Sequence, residues 1–526
     1  MKILYLCGDE KMDELKIVSI EWNNIYLCFE FNKKIEDNLY LVKDDKKYKI
    51  YDDYIFECKL KMPITCAYRD NMIEEGIWNF IYKDNLIKVD INQAKKLDSI
   101  QRVFFYKEHL FSVIVSFNID EEFNLIMHMD YMRKNKKPYK NERITHNILK
   151  RYAIYSGTIF IKILYTFFNL IHINKKNKIL FMSETRDKLA GNLLALSNRM
   201  KERNLDKEYK MYYSFKKVLS ERKSIFYIFK IINLISKVEY IFVDDYAPIF
   251  NTITLKNTKL IQLWHAGVGF KSVGYSRFGK KGSPHPTVSV HRKYDYAVVA
   301  APNLIHVYQE VFGLNKEHFL VPGMLRLDGY LDNDTIDKAK EKIYSLYPQI
   351  KKKKVILFAP TYRGAGQKEA YYDFDKIDIP KLYETCKKNN YVVLLKFHPF
   401  IKEKINIENK YSDLLIEASD YPDINELFYV VDILITDYSS NIYEFSIFER
   451  PIVFFDYDLD VYSVLRGVHN SLEESPGNVC RTFEEVISLL ENKKFDLEKV
   501  KKYKEANISF QDSKSCDRLI KMIFNK

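Results

Sequence analysis

The feature that most constrains the fold is an alternation of strand-like and helix-like segments that begins near residue 177. A short apolar run, KILFMSE, is followed by a segment of helical periodicity, LLALSNRMKERN, and then by a second apolar run, YKMYYSF. Strands that alternate with helices in this way form parallel sheets covered by helices. The alternation starts again with new strands after about residue 331, so we predict one sheet in residues 177–330 and another in residues 331–526.

This pattern predicts an α/β protein with two Rossmann-like lobes and a cleft between them. No GxGxxG dinucleotide fingerprint is present in the sequence. In open α/β sheets, ligands bind beyond the carboxyl ends of the strands. The pattern therefore favours a two-lobed transferase that acts on a nucleotide-linked substrate, with its functional residues at strand ends.

The first 146 residues have a different pattern. Segments such as IVSIEWNNIYLCFEF and RVFFYKEHLFSVIVSF alternate apolar with polar residues, are rich in aromatic residues and are separated by turn-forming pairs. We predict an all-β N-terminal domain in residues 1–146, most simply a sandwich. Its role is either accessory or purely structural, since the segment contains no catalytic constellation.

Residues 147–176 form the third type of segment. The stretch YAIYSGTIFIKILYTFFNLIHI carries one charged residue, Lys162, and basic residues flank it on both sides. An amphipathic helix in an anionic membrane interface would explain both features, and the alternatives are a helix packed between domains or a true membrane span. Polar residues recur three and four apart, which places them on one helical face: Thr158, Lys162, Thr166, Asn169 and His172.

The charge and cysteine content limit the class of protein further. The formal net charge is +12, which suits an anionic membrane surface or a phosphorylated substrate, and no nucleic-acid-binding signature accompanies it. The seven cysteines include no C-x-x-C pair, and the apolar N-terminal run is too short for a signal peptide. We therefore expect a protein of the reducing cytosol that binds no nucleic acid.

A histidine stands at the end of the apolar run LIQLW, in the segment QLWHAGVGFKSVG. The ordinary pKa of histidine suits a general base near neutral pH, so His265 is a candidate base, although a structural histidine would also fit. Gly267 and Gly269 would allow the backbone of the following loop to approach a ligand, and Lys271 adds a positive charge to it.

The segment ILITDYSSNIYEFSIFERPIVFF predicts a phosphate site. A strand at 432–436 enters a polar turn that runs from Asp437 through Ser439 and Ser440. A helix follows, for which we predict Asn441 as the N-cap and Glu444 as its capping-box partner. Hydroxyl groups beside the free N–H groups of a helix start are typical of phosphate binding, although capping alone would explain the same residues.

Three further residues that can bind phosphate follow predicted strands. His398 ends the strand in KFHPF, Arg363 follows the strand in APTYRG, and Arg326 lies in VPGMLRLD. Arginine is the natural bidentate partner of phosphate oxygens.

No cofactor is indicated by the sequence. Asp-x-Asp pairs, of which Asp456 and Asp458 form one, are candidate ligands of a divalent metal on a nucleotide pyrophosphate. With 71 acidic residues in the chain, such pairs are also expected by chance.

Taken in order, the motifs resemble those of the CDP-glycerol/CDP-ribitol polyol-phosphate transferases that build teichoic acids and related capsule polymers. The resemblance runs from about residue 177 to 526. Its motifs are WHAG at 264–267, VPGMLRLD at 321–328, ILFAPTYR at 356–363, LKFHP at 395–399, DILITDYSSNIYEF and PIVFFDYDLDVY at 451–462.

The resemblance implies a GT-B fold, a CDP-polyol donor, a lipid-linked or polymer acceptor and peripheral association with the cytoplasmic face of the membrane. It also implies that His265 is the base and that Arg363, His398, Ser439 and Ser440 hold the donor's pyrophosphate. Both glycerol and ribitol remain open as the polyol. A GT-B glycosyltransferase with CMP-sialic acid or a nucleotide-sugar donor is the alternative function.

Overall fold

A computed structural model describes the chain in residues 14–106, 111–133, 144–216, 224–264, 272–280, 283–364, 369–465, 475–510 and 512–526. The chain divides into two compact units. Unit 1 comprises Met1–Lys137, Gly274–Thr287 and Phe312–Asn315, and unit 2 comprises Pro138–Val273, Val288–Val311 and Lys316–Lys526. Unit 1 is therefore assembled from three separate stretches of chain.

Unit 1 consists mainly of strands in two sheets, with two one-turn helices, α1 (Ile91–Ala94) and α2 (Leu97–Ile100). The strands of the first sheet are β1 (Lys16–Asn23), β2 (Tyr26–Phe31), β5 (Ile55–Phe56), β6 (Lys59–Pro63) and β9 (Lys88–Val89). The strands of the second sheet are β3 (Leu39–Lys43), β4 (Lys46–Lys49), β7 (Gly76–Tyr82), β8 (Asn85–Leu86), β10 (Arg102–Tyr106), β11 (Phe111–Ile119) and β12 (Leu125–Arg133).

The pairing in these sheets is antiparallel except between β1 and β9. Asp44 and Asp45 both have positive φ, the conformation of a two-residue hairpin turn, and connect β3 to β4. The alternating apolar residues of both sheets meet in one core, which includes Leu27, Trp78 and Val113. Phe278, from the second stretch of the unit, joins the same core.

Unit 2 contains two parallel sheets. The first has the order β14-β13-β15-β16-β17-β18, and its strands are β13 (Lys178–Ser183), β14 (Lys210–Phe215), β15 (Tyr240–Val243), β16 (Lys259–Gln262), β17 (Tyr296–Val298) and β18 (Phe319–Leu320). The helices that precede or connect these strands are α3 (Ile144–Ile171), α4 (Gly191–Glu202), α5 (Ile225–Ser236), α6 (Ile249–Thr252) and α7 (Ile305–Phe312).

The second parallel sheet has the order β21-β20-β19-β22-β23-β24, and its strands are β19 (Lys354–Phe358), β20 (Tyr391–Leu395), β21 (Leu415–Glu417), β22 (Ile433–Thr436), β23 (Ile452–Phe455) and β24 (Asn478–Cys480). The remaining helices are α8 (Asn333–Leu346), α9 (Ile379–Asn389), α10 (Ile424–Leu427), α11 (Asn441–Ser446), α12 (Leu459–Leu465), α13 (Phe483–Asn492), α14 (Leu497–Asn507) and α15 (Ser515–Phe524).

The strand order of the second sheet determines where a ligand can bind. In chain order the sheet reads 3-2-1-4-5-6, so the winding direction reverses between β19 and β22. Ligands of doubly wound sheets bind beyond the carboxyl ends of the strands at this reversal. The loops that follow β19 and β22 are therefore the first place to look for a site.

Between residues 155 and 171, where its side chains are described, helix α3 is buried on one side only. Leu164 and Tyr165 are buried, and the Tyr165 hydroxyl accepts the N–H of Lys256 at 3.0 Å. On the opposite side, an apolar ridge is exposed to solvent, and it consists of Tyr155, Ile159, Ile163, Phe167 and Leu170. Among the described residues, no helix combines the length and the hydropathy needed to cross a bilayer.

The last helix, α15, packs with the first parallel sheet although it follows the second one in the chain. Leu519, Ile520 and Phe524 share a core with residues of β13 and β15. Asp328 fixes the start of this helix, because its carboxylate accepts the N–H groups of Ser515 and Cys516 at 3.0 and 2.8 Å.

Replacing Asp328 with alanine should loosen this helix. Loss of a capping carboxylate costs about 0.5–2 kcal/mol, and we expect faster hydrogen exchange in residues 515–524 than elsewhere in the chain. The matched control is Asp496→Ala, which removes the cap of α14 instead. Equal exchange rates for residues 515–524 in the two variants would contradict the assigned role of Asp328.

Candidate active site

The loops that follow β19 and β22 are joined by hydrogen bonds. The N–H of Thr361 donates to Asp437 Oδ1 at 2.7 Å, and the hydroxyl of Thr436 donates to the carbonyl oxygen of Ala359 at 2.8 Å. The two loops that flank the reversal of the sheet are therefore held as one structure.

Arg363 is the centre of this structure. Its Nη1 lies 2.7 Å from Asp437 Oδ2, and its Nε and Nη2 bind the two carboxylate oxygens of Asp458 at 2.7 and 2.8 Å. Arg363 is only 5% exposed and Asp437 is fully buried. Burial lowers the pKa of the guanidinium, but the two carboxylates outweigh it and raise that pKa above its ordinary value, so Arg363 stays charged.

Aromatic rings surround the same guanidinium. Four tyrosine rings have their centroids 5.3–5.4 Å from its central carbon, a cation–π distance: Tyr372, Tyr438, Tyr457 and Tyr462. The Tyr438 hydroxyl donates to Asp458 at 3.1 Å. Asp437 and Tyr438 both lie in the predicted phosphate-binding turn. The guanidinium therefore contacts this turn twice, at the Asp437 carboxylate and at the Tyr438 ring.

The predicted capping box of α11 is wrong. The helix begins at Asn441, so Ser440 and not Asn441 occupies the N-cap, and the Ser440 side chain makes no capping bond. Glu444 does not turn back to the helix start, because its carboxylate binds the guanidinium of Arg326. Ser439 instead accepts the N–H of Asn441 at 3.3 Å, and Ser439, Ser440 and Asn441 all remain partly exposed.

Arg326 connects α11 to the first parallel sheet. Its guanidinium binds Glu444, and its backbone N–H donates to Asn192 Oδ1 at 3.0 Å. The amide nitrogen of Asn192 donates in turn to the carbonyl oxygens of Leu263 and Trp264. A continuous series of polar contacts therefore connects Glu444 of α11 to the backbone carbonyl of Trp264, the residue before His265.

Trp264 adopts a backbone conformation that is rare for a large residue. Its φ is +46°, in the left-handed region, and its N–H donates to Gln262 Oε1 at 2.8 Å. Such a conformation persists only where the surroundings hold it, as Gln262 and Asn192 do here. His265, Gly267, Gly269 and Lys271 lie outside the described residues, so Trp264 marks the point from which the predicted loop departs.

His398 packs beside the loop that carries Arg363. Its ring packs 4.7 Å from that of Tyr362, the residue before Arg363, and its Nδ1 accepts the N–H of Phe400 at 3.1 Å. These contacts fix the orientation of the imidazole beside the loop after β19. Of the predicted site residues, Asp437, Ser439, Ser440 and Asn441 lie in or directly after the turn that follows β22, and Arg363 binds this turn. Arg326 binds Glu444 in the helix after the turn, and His398 packs against the residue before Arg363.

The Asp-x-Asp pair at 456–458 does not point to one shared ligand. Asp458 binds Arg363, whereas Asp456 lies 3.1 Å from Arg481. Burial raises the pKa of the Asp456 carboxyl to about 6, against the opposing charge of Arg481. Within the described part of the chain, no three His, Cys, Asp or Glu side chains are grouped as metal ligands would be.

Three contributors to this site carry no recognisable signal in the sequence. Asn192 is the second residue of α4, far from any motif, and no local pattern distinguishes it from a surface amide. Tyr372 and Tyr462 likewise read as ordinary core aromatics. Their positions around Trp264 and Arg363 depend on tertiary packing, which sequence spacing does not record.

Replacing Arg363 with alanine should destabilise unit 2 strongly. The substitution leaves Asp437 buried and unpaired, which typically costs about 3–5 kcal/mol, and we expect a matching fall in the free energy of unfolding by urea. Arg363→Lys should lose less stability, because it keeps the charge but not the bidentate geometry. Lys388→Ala, which breaks an exposed pair with Glu491, serves as the control and should change stability by about 1 kcal/mol or less. A stability loss in Arg363→Ala no larger than that of the control would contradict the burial argument.

Comparison with known proteins places the chain in a family. Residues 164–525 match the family model described as CDP-Glycerol:Poly(glycerophosphate) glycerophosphotransferase. The teichoic acid ribitol-phosphate polymerase TarL of Staphylococcus aureus is 32% identical over 516 residues, which covers 95% of this chain and 90% of TarL. The teichoic acid glycerol-phosphate primase of Bacillus subtilis is 31% identical over 316 residues, which covers 58% of this chain and 79% of the primase.

The fold is also similar to that of a solved protein. The structure of the wall teichoic acid polymerase TagF superposes with a TM-score of 0.56 at 23% identity, covering 73% of this chain and 98% of TagF. The mixed α/β fold is thus shared. The chain belongs to the CDP-glycerol:poly(glycerophosphate) glycerophosphotransferase family and is a polyol-phosphate transferase of the kind that acts in teichoic acid synthesis.

Proposed function

We propose that this chain is a ribitol-phosphate polymerase. It transfers ribitol phosphate from CDP-ribitol to a terminal hydroxyl of a lipid-linked polymer and releases CMP. The observation that carries the choice of ribitol is the extent of similarity among polymerases, since the ribitol-phosphate polymerase TarL aligns over 95% of this chain and the poly(glycerol phosphate) polymerase of Bacillus subtilis over 70%.

The proposed architecture is of the GT-B type. Residues 177–330, apart from the unit 1 stretches Gly274–Thr287 and Phe312–Asn315, form a Rossmann-like acceptor lobe that carries His265. Residues 331–526 form a Rossmann-like donor lobe, except that their last helix, α15, packs with the first sheet. Residues 1–146 form an all-β accessory domain, and residues 147–176 form the membrane-interface segment. The two parallel sheets and the 3-2-1-4-5-6 order of the second one support this arrangement.

In the proposed reaction, an acceptor hydroxyl attacks the donor phosphorus that bears ribitol. A bond forms between the acceptor oxygen and this phosphorus, and the bond from phosphorus to the oxygen that bridges it to CMP breaks. CMP leaves with the bridging oxygen. His265 accepts the hydroxyl proton, and Gly267, Gly269 and Lys271, which follow it in the sequence, contribute to acceptor binding.

The donor's pyrophosphate is held at the turn after β22. Ser439, Ser440 and Asn441 supply hydroxyl and N–H donors there, and His398 approaches from the loop after β20. Preorganised donors of this kind stabilise the charge that develops during phosphoryl transfer. Arg363 acts as a positioning residue, because its guanidinium already binds Asp437 and Asp458 and holds the turn in place. Arg326 couples this turn to Trp264 through Asn192.

Product release tests the substrate directly. The purified chain, with membranes as acceptor, is incubated separately with CDP-ribitol, CDP-glycerol, CMP-sialic acid and UDP-sugars. We expect CMP release and polymer-bound ribitol phosphate with CDP-ribitol, at a rate at least tenfold above that with CDP-glycerol. Faster turnover of CDP-glycerol would replace ribitol by glycerol, and UDP release from a sugar donor would favour the glycosyltransferase alternative.

His265→Ala should abolish turnover without abolishing donor binding. A general base contributes about 10²–10⁴-fold to the rate, so kcat should fall by that factor while CDP binding, measured by calorimetry, stays within about twofold. The retained CDP binding is the control for folding. A kcat close to that of the unchanged chain would show that another group is the base.

We also place the chain at the cytoplasmic face of the membrane, with α3 lying in the interface. Five large apolar side chains form the exposed ridge, and Phe226 and Phe229 of the neighbouring helix α5 are exposed as well. Water-exposed apolar surface of this kind is typical of membrane or protein contacts, and the basic net charge favours an anionic membrane.

Removing apolar side chains from the ridge should weaken membrane binding. Ile163 and Phe167 are 64% and 55% exposed, so the double substitution Ile163→Gln with Phe167→Gln should not disturb the core. Burial of each such side chain in a bilayer stabilises binding by about 1.5–3 kcal/mol, so we expect at least a tenfold loss of co-flotation with anionic vesicles. The control pair, Leu346→Gln with Leu497→Gln, removes equally exposed apolar groups from other helices and should float normally. Unchanged flotation of the ridge variant would contradict the interfacial placement.

A further inference from the structure

A cavity of about 270 Å³ lies on the polar side of α3, between this helix and the segment 252–256. Two lysines line it, Lys162 from the helix and Lys256 from the segment. Hydroxyl groups of Tyr165, Thr252 and Thr254 line it as well. Cavities that enclose whole drug-sized ligands measure about 300–1,000 Å³, so this one suits a small polar group.

The charged side chains that line the cavity are all positive. No carboxylate is present among its described lining residues. The sequence of α3 contains no aspartate or glutamate, and neither does the stretch 249–259. Lys162 and Lys256 therefore have no acidic neighbour on the helix and the segment that carry them.

Two further lysines, one buried and one partly buried, contact residues that line the cavity and add positive charge beside it. Lys175 is 6% exposed and donates to Asn169 Oδ1 at 2.7 Å and to the Lys256 carbonyl oxygen. Lys293 donates to the carbonyl oxygens of Phe250 and Ile253. Burial lowers the pKa of Lys293, and the positive charge of Lys162 lowers it further. A bound anion would offset the positive charge of these lysines.

The cavity is also continuous with the apolar ridge. Leu170 lines the cavity, is 70% exposed and belongs to the ridge. Tyr165, beneath the cavity, holds the backbone of Lys256 through its hydroxyl. An occupant with an anionic group in the cavity would therefore place any attached apolar chain along the ridge.

We propose that this cavity binds the headgroup phosphate of an anionic membrane phospholipid. Lys162 and Lys256 bind the phosphate oxygens, the hydroxyl groups bind the rest of the headgroup, and the acyl chains lie against the ridge. Such a site fixes the depth and the rotation of α3 in the interface, which apolar contact alone leaves undetermined. The proposal rests on the membrane-facing role of α3 given above, and it concerns a site separate from the transferase residues.

The test uses a lipid that needs no bilayer. Dihexanoyl-phosphatidylglycerol, below its micellar concentration, is titrated into the full chain at 0.15 M salt, with dihexanoyl-phosphatidylcholine as the zwitterionic comparison. We expect the phosphatidylglycerol to bind at least fivefold more tightly. Lys162→Gln with Lys256→Gln should weaken its binding at least fivefold, and Thr254→Phe, which fills the cavity without changing charge, should do the same.

The control pair is Lys176→Gln with Lys230→Gln, which removes the same charge from exposed lysines that do not line the cavity. Its lipid affinity should stay within twofold of the unchanged chain. Equal losses in the two lysine pairs, or no effect of Thr254→Phe, would reduce the effect to general surface charge and overturn the proposal. So would binding of a soluble polyol-phosphate oligomer that depends on Lys162 and Lys256 in the absence of lipid binding.

Vesicle flotation separates this proposal from the membrane role on which it rests. If the unchanged chain does not float, the interfacial placement of α3 fails. If it floats and the cavity variants bind short-chain lipid normally, only the headgroup site fails. Melting temperatures of all variants, measured without lipid, check that each remains folded.

Discussion

The buried guanidinium of Arg363 is the interaction on which the donor side of the fold depends. A charge that is almost completely removed from water is stable only if carboxylates and polarisable groups replace the water, and Asp437, Asp458 and four tyrosine rings do so. Because Asp437 begins the turn after β22, the same contacts that neutralise the arginine also set the shape of the turn. The stability of unit 2 and the shape of this turn are therefore determined by the same contacts, and a substitution that removes these contacts changes both.

The sequence predicted those features that depend on local pattern. The spacing of apolar residues and the length of each apolar run predicted the parallel strands. The polar residues that follow β19 and β22 predicted the place of the candidate site, because the carboxyl ends of parallel strands share one edge of the sheet. What the sequence did not predict is which partner each side chain takes. Glu444 has the spacing of a capping box, yet its carboxylate binds the guanidinium of Arg326, which is distant in the sequence, instead of the start of its own helix. Asn192 carries no local signal, because its role depends on the Trp264 peptide, which approaches it only in the folded chain.

Helix α3 shows how one amphipathic pattern serves two surfaces. Its polar positions are only partly solvated, since Asn169 binds Lys175, and His172, directly after the helix, binds Asn233. Its apolar positions fall into two sets, because Leu164 and Tyr165 are buried whereas the ridge is exposed to solvent. An ordinary surface helix has one apolar side, which covers the core. The second, exposed apolar side is the physical reason to assign the helix a neighbour other than water.

The placement of α15 affects how the protein is made. The first parallel sheet ends at residue 320, but part of its core comes from Leu519, Ile520 and Phe524. At about 5–20 residues per second, a ribosome needs roughly 10–40 s to synthesise the intervening chain. During that interval the apolar surface awaiting α15 is uncovered, while the second sheet can already form. The first parallel sheet is thus translated before the second one, but its core is completed later. It is the region where a chaperone would be needed during synthesis.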